Sequence, residues 1–197
     1  LFSQRDKSLF IFGYQRLGGI MPNHTSNFVE VETNTGCSKE QLALAELKTM
    51  LSIHSGKFDF NAMIPMPSDL KKALEIDDPF AFGDGDPWML KDGHLVPSDA
   101  FTRKRWIREH GADNWYRWSI DNWDTKWNAY DVDIDIDDMN QLHVNFLTAW
   151  SCPTKIYLKL KEYCDEHNLS LDWGVQFEGE DEYFDLKEQD LEDGRWQ

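Results

Sequence analysis

The stretch Asp131-Val132-Asp133-Ile134-Asp135-Ile136-Asp137-Asp138 alternates acidic and β-branched apolar residues with period two. Successive side chains of a strand point to opposite sides of a sheet. The period therefore predicts a strand with Val132, Ile134 and Ile136 in a core and Asp131, Asp133 and Asp135 on the other face. Carboxylates two residues apart on a strand sit roughly 7 Å from one another and repel. A solvated face ordinarily mixes in Lys, Thr or Ser, and this one does not. The chain maintains a negative surface here.

The following segment, Gln141–Ala149, reads as the partner strand, and the pattern fixes how the two pair. Val132, Ile134 and Ile136 must share a face with Leu142, Val144 and Phe146, because a one-residue slip turns one set outward. Direct partners then sum to an even number, as in 134 with 142 or 134 with 144. An even sum demands a connection of three or five residues and excludes a two-residue turn. His143 falls on the acidic face, opposite Asp133 or Asp135.

Working outward, Asn27–Thr33 alternates as a first strand. Ser38, with Gln41 three residues on, has the form of a capping box opening a helix to about His54. Phe58–Ile64 reads as a second strand ended by Pro65 and Pro67, and Ser68 caps a short helix, Asp69–Glu75. Residues 76–100 are loop-like, with Pro79, Gly83, Gly85, Pro87, Gly93 and Pro97. Residues 101–122 read as one or two helices interrupted near Gly111. Pro153 opens a helix to about Asn168, and Leu169–Phe177 is a last strand.

This order predicts an α+β fold: a ferredoxin-like antiparallel sheet with two helices on one face, plus a Trp-rich helical insertion over 68–124. Phe28, Val31, Ile134, Val144 and Phe146 are expected to lie buried under helices 38–54 and 153–168. Trp106, Trp115, Trp118, Trp123, Trp127 and Trp150 are expected to pack the insertion against the sheet. Three regions follow: an N-terminal extension 1–20, the domain 21–178, and an acidic C-terminal segment 179–197. Segment 1–20 is net positive, with Arg5, Lys7 and Arg16 against Asp6. It reads as an upstream extension or alternative start, with a docked extra strand as the rival.

Several segments together resemble a known family. They are Met21-Pro22-Asn23 with Ser26-Asn27, Phe58-Asp59-Phe60-Asn61 running into Ile64-Pro65-Met66-Pro67, Trp115–Ile120, Asn122-Trp123-Asp124-Thr125-Lys126-Trp127-Asn128, and Thr148-Ala149-Trp150 before Pro153. In this order they resemble the YubB-type ferredoxin-like family, uncharacterised proteins of bacteriophages and conjugative plasmids. The resemblance covers roughly residues 21–178. It departs at His24-Thr25, where the family usually has Trp-Cys, at Asp124, where it has Gly, and over Glu178–Asp193, which replaces a glycine-rich end. It implies the fold and a mobile-element origin, and it carries over no catalytic residues.

Composition narrows the function. The 197 residues carry 36 acids against 20 Lys and Arg, a formal charge of −16. Nucleic-acid and anionic-membrane binders need a basic footprint, so direct contact with either is not expected. The expected partner is a basic host protein, itself plausibly nucleic-acid-binding. From residue 178 onward, nine acids face only Lys187 and Arg195, while Tyr183, Phe184, Leu186, Leu191 and Trp196 give this segment a means of docking. The candidate partner-binding residues are Asp131, Asp133, Asp135, Asp137, Glu180, Asp181 and Glu182.

Rival chemistries are weaker. Three Asp on one strand cannot all reach one cation at 2.0–2.6 Å without a loop folding over them. Trp platforms for single-stranded nucleic acid come with Lys and Arg, and here Asp121, Asp124 and Asp131 flank them. Cys37, Cys152 and Cys164 are an odd count without paired spacing, which points to a reducing, cytoplasmic setting. Cys152 reads as a buried thiol, and the acids of Gly83-Asp84-Gly85-Asp86 would repel phosphate. No cofactor or catalytic residue is expected. A non-enzymatic, DNA-mimic-like inhibitor of a nucleic-acid-processing or defence enzyme is the favoured class. A metal-assisted hydrolase using the Asp strand, or a phage structural component, is the alternative.

Overall fold

The structure, a computed structural model, describes residues 23–52, 58–71, 88–91, 94–97, 99–137, 141–187 and 191. Five strands form one antiparallel sheet in the order β4-β5-β1-β6-β7: β1 (His24–Thr33), β4 (Tyr130–Ile136), β5 (Leu142–Ala149), β6 (Leu169–Phe177) and β7 (Phe184–Asp185). A separate two-stranded hairpin pairs β2 (Trp88–Lys91) with β3 (His94–Pro97). It lies in the stretch expected to be loop, where the crowding of Gly and Pro hid two short strands. The helices bounded within the described residues are α1 (Ser38–Leu51), α2 (Ala100–His110), α3 (Trp115–Trp123) and α4 (Thr154–Glu166); residues 68–71 are also helical, and the rest of the helix expected over Asp69–Glu75 lies outside the described residues. The extension 1–20 and most of 72–98 lie outside the described residues.

The β4–β5 pairing has the even-sum register that the apolar pattern demands. Ile134 faces Val144, Ile136 faces Leu142, and Asp135 faces His143. Asp137 closes the connection: its backbone N–H donates to the Gln141 carbonyl at 3.0 Å, and its carboxylate accepts from the Gln141 N–H at 2.9 Å. The alternation breaks once, where the register shifts between Tyr130 and Asp133. Asp131 sits in that bulge with φ +49 and is exposed, so it is not in step with Asp133 and Asp135.

One side of the sheet is covered. α1 packs on β1 and α4 on β6, and Leu44, Leu47, Leu51, Ile156, Leu160 and Cys164 share one core with Val29, Val31, Val144, Phe146 and Trp173. Ile134, on the edge strand, is half-buried against that core. Phe28 was expected in the core and is not there. Its register partners are Asn145 and Gly174, which puts it on the opposite, uncovered face, where its ring lies 5.2 Å from that of Tyr183. Val31 and Phe28 differ by an odd number of residues, so one strand cannot bury both on one side.

The inward side of β1 begins with two polar residues, Thr25 and Asn27. Asn27 is accommodated because its partners are all present. Its Nδ2 donates to the Thr25 carbonyl at 3.1 Å and to Thr148 Oγ1 at 3.0 Å, and its Oδ1 accepts from Trp173 Nε1 at 3.2 Å.

Two local expectations are overturned by side-chain hydrogen bonds. Ser38 is the first residue of α1 and does not cap it; the N-cap is Cys37, which makes no side-chain cap bond. The buried Glu40 carboxylate instead reaches back to the turn, accepting from the Thr35 N–H at 2.8 Å, the Gly36 N–H at 3.0 Å and Asn168 Nδ2 at 2.5 Å. These donors, the Thr35 backbone first, outweigh desolvation and hold Glu40 at about 2, against an ordinary 4.5. A carboxylate depressed in this way stabilises the fold fully above its unfolded value, and that stabilisation is lost as pH falls through the folded value. Glu40→Gln should therefore lower stability at neutral pH and flatten the acid limb between pH 4.5 and about 2. Urea midpoints across that range check it; an unchanged slope refutes the assignment.

Phe58–Ile64 is not a strand. Asp59 caps a 3-10 turn over Phe60–Ala62, because its Oδ1 accepts from the Asn61 N–H at 2.8 Å, Asn61 Nδ2 at 2.7 Å and Asn128 Nδ2 at 2.6 Å. Local side-chain acceptors of this kind compete with the sheet ladder. Asn128 returns the contact through Oδ1, which accepts from the Phe60 N–H at 2.9 Å. Asp59→Ala removes the shared acceptor and should cost about 2–4 kcal/mol in urea unfolding. A loss below about 0.5 kcal/mol would mean that the turn holds without it.

The helical stretch 101–122 divides at Gly111, as its sequence suggests. Asp99 caps α2 by accepting from the Thr102 N–H at 2.7 Å, Gly111 ends it at φ +80, and Asn114 caps α3 by accepting from the Arg117 N–H at 2.8 Å. Trp106, Trp115, Trp118 and Trp123 are buried. Trp150 is not: it is 40% exposed at φ +72, against the expectation that it packs in the core.

Candidate functional site

The uncovered face of the sheet is where the acids of the strands collect. None of the five strands contains Lys or Arg. Register places Glu30, Glu32, Asp133, Asp135, Asp172 and Asp185 on this one side. Asp135, His143, Glu30 and Asp172 are direct neighbours across four strands; Asp133, Asn145, Phe28, Gly174 and Asp185 form the next row across all five. Strands lie roughly 4.8 Å apart and same-face residues roughly 7 Å apart, so the carboxylates occupy points of a grid that follows the twist of the sheet.

His143 is the base inside this grid. Its Nδ1 lies 3.2 Å from Glu30 Oε1 and its Nε2 3.6 Å from Asp137 Oδ2. Lys48 Nζ reaches Asp135 Oδ1 from α1 at 3.6 Å, so the Asp strand is partly relieved at one end. Gln141 Nε2 donates to Glu32 Oε2 at 2.6 Å. Asp133 is exposed, and no ion pair is made by it among the described residues.

The expected binding residues divide into two groups. Asp135 lies opposite His143 and Asp137 3.6 Å from its Nε2, Asp133 stands opposite Asn145 in the next row, and Asp131 is in the bulge. Glu180, Asp181 and Glu182 are exposed and lie beyond the end of β6, where the Glu180 carbonyl accepts from Gln176 Nε2 at 2.9 Å. β4 and β6 are three strand spacings apart, roughly 14 Å, so the two groups do not touch. The chain after β6 nevertheless turns onto the same side of the sheet, because Tyr183 packs on Phe28 and β7 pairs with β6. Glu30, Asp172 and Asp185 fill the interval. Glu30 and Asp172 were not among the residues singled out from the sequence; it is the strand order that puts them in one row with Asp135.

Cations are drawn elsewhere. α2 carries Arg103, Lys104, Arg105 and Arg108, with Arg105 3.5 Å from Asp69 and Arg108 3.0 Å from Glu109. At the other end of the core, the ammonium of buried Lys126 lies over the rings of Trp150, Trp127 and Tyr116 at 4.7, 4.9 and 5.7 Å. Asp124, at φ +61, joins α3 to α4 by accepting from the Thr154 hydroxyl and from Lys155 Nζ.

The two buried thiols are chemically quiet. Cys152 is fully buried with Sγ 3.7 Å from Asn27 Oδ1, and burial followed by the nearby Asp124 carboxylate pushes it well above the ordinary thiol range. Burial pushes Cys164 up to about 12. Neither is a thiolate near neutral pH. Among the described residues no three His, Cys, Asp or Glu side chains are arranged to hold a metal ion, and no helix is long and apolar enough to cross a membrane. No family model, curated protein or solved structure matches the chain.

Proposed function

We propose that this protein is a non-enzymatic binding protein of a phage or plasmid, whose open acidic sheet face engages a positively charged surface of a host protein. The observation that carries this is the segregation on the sheet: five strands without Lys or Arg, and six carboxylates on the face that no helix among the described residues covers. A face of fixed like charge gains little for the fold, because exposed acids repel one another; it gains when a cationic partner is laid on it. The partner class we infer is an enzyme with a cationic groove for nucleic acid, against which the face acts as a DNA-like competitor.

A ferredoxin-like reading of the fold is supported by connectivity. With β7 set aside, β1, β4, β5 and β6 lie in the order β6-β1-β5-β4, with α1 after the first strand and α4 between the last two. Residues 58–129 then stand as an insertion carrying Trp106, Trp115, Trp118, Trp123 and Trp127. Kinship with the YubB-type family is supported by the way its segments meet. Asn128 bonds Asp59, Trp123 Nε1 donates to the Ile64 carbonyl at 2.9 Å, and Trp150 N–H donates to the Asn23 carbonyl at 2.9 Å.

The test is capture from bacterial lysate on the immobilised full chain, with elution by salt or by duplex DNA. A nucleic-acid-binding protein retained at low salt and released by both is the expected result. Captured proteins indifferent to both, or none at all, would overturn the proposal.

A further inference from the structure

Resting on that reading, we infer that the edge of β4 takes an added strand from the partner, one that alternates Lys or Arg with apolar residues. Among the described residues β4 ends the sheet and is hydrogen-bonded on one side only, to β5. The other edge, β7, is two residues long and offers little to pair with. Among the described residues, no backbone hydrogen bond joins Asp131–Ile136 to anything but β5. The core also thins at this edge. Leu142, Val144 and Phe146 on β5 are 0–2% exposed, whereas their neighbours Val132, Ile134 and Ile136 are only half-buried.

Among the described residues the edge thus presents three things in register: backbone groups without a partner strand, an apolar strip on one side and carboxylates on the other. An added strand must match all three. Its backbone pairs with the ladder, its apolar residues extend the strip beside Ile134 and Ile136, and its cations stand opposite Asp133 and Asp135 at roughly 5 Å between Cβ atoms. Charge on an edge ordinarily guards against pairing, and bulges do the same. Carboxylates repel acidic strands and bar wholly apolar ones by desolvation, whereas a cationic strand has only to displace Lys48, 3.6 Å from Asp135 in an exposed pair. The bulge before Asp133 and the turn at Asp137 confine the ladder to the straight part of β4, so recognition is of a short segment.

The probe is a short capped peptide of alternating Lys and Val, compared with the same peptide N-methylated on the amides that would face β4. Both carry the same charge, so only strand addition separates them. The full-length protein should bind the unmodified peptide about tenfold more tightly, as expected for the loss of one or two net hydrogen bonds. Binding should also protect outward amides of Val132–Ile136 from hydrogen exchange. The variant Asp133→Lys with Asp135→Lys, checked for native circular dichroism, should lose the Lys peptide and gain its Glu counterpart. Equal binding of the two Lys peptides without amide protection overturns strand addition and leaves the acidic face intact as a binding surface. Binding of neither overturns both proposals.

Discussion

Trp173→Ala should destabilise the fold by about 3–5 kcal/mol, the range for deleting a large buried aromatic side chain. Trp173 is 2% exposed on β6, its ring 5.7 Å from both Phe146 and Tyr157 in edge-on contacts. The indole lies between the sheet and α4, so its loss leaves a cavity that neither side can close alone. It also removes the Nε1 donor from Asn27, a buried amide in the middle strand of the sheet. Trp150→Ala is the control. That residue is 40% exposed and held at positive φ, so its loss should cost about 1 kcal/mol or less. Urea unfolding followed by circular dichroism compares the two. Equal losses, or a Trp173 loss near 1 kcal/mol, would show that the core does not depend on this indole.

Asp133→Lys with Asp135→Lys should slow association with a cationic partner at least about tenfold at low salt, with the two proteins converging as salt rises. Steering between exposed charges is screened over roughly 8–10 Å at physiological salt, which is why the difference must shrink. The fold should survive. Both side chains point away from the core, and the Lys48–Asp135 contact at 3.6 Å joins a side chain 35% exposed to one 73% exposed. Such a pair contributes about 0–1 kcal/mol. The new lysines would stand beside Lys48, a small repulsion in solvent. Stopped-flow association across a salt series is the measurement. An unchanged rate at every salt concentration would remove the acidic face from the binding mechanism.

The β4–β5 pairing could be read in the sequence because period-two alternation leaves one register that buries both apolar sets. That parity put Asp133 and Asp135 on one face with His143 opposite one of the two, and the register in the structure makes it Asp135. The split at Gly111 was also legible, since a glycine beyond a helical run is a stop signal whatever surrounds it. Local signals failed where a side chain found a partner distant in sequence or close by in an unexpected direction. Glu40 displaced the Ser38 cap by bonding Thr35, Gly36 and Asn168, and Asp59 turned an apparent strand into a 3-10 turn with the help of Asn128.

Alternation says which face a residue takes, not which strands are neighbours. The acid periodicity of 131–137 and the charge of −16 were properties of the chain. That Glu30 and Asp172 continue the row begun by Asp135, and that Glu180–Glu182 stand three strands away from it, follows from the order β4-β5-β1-β6-β7. That order is set by how α1 and α4 pack over one side of the sheet, a long-range result of burial that no local stretch of sequence encodes.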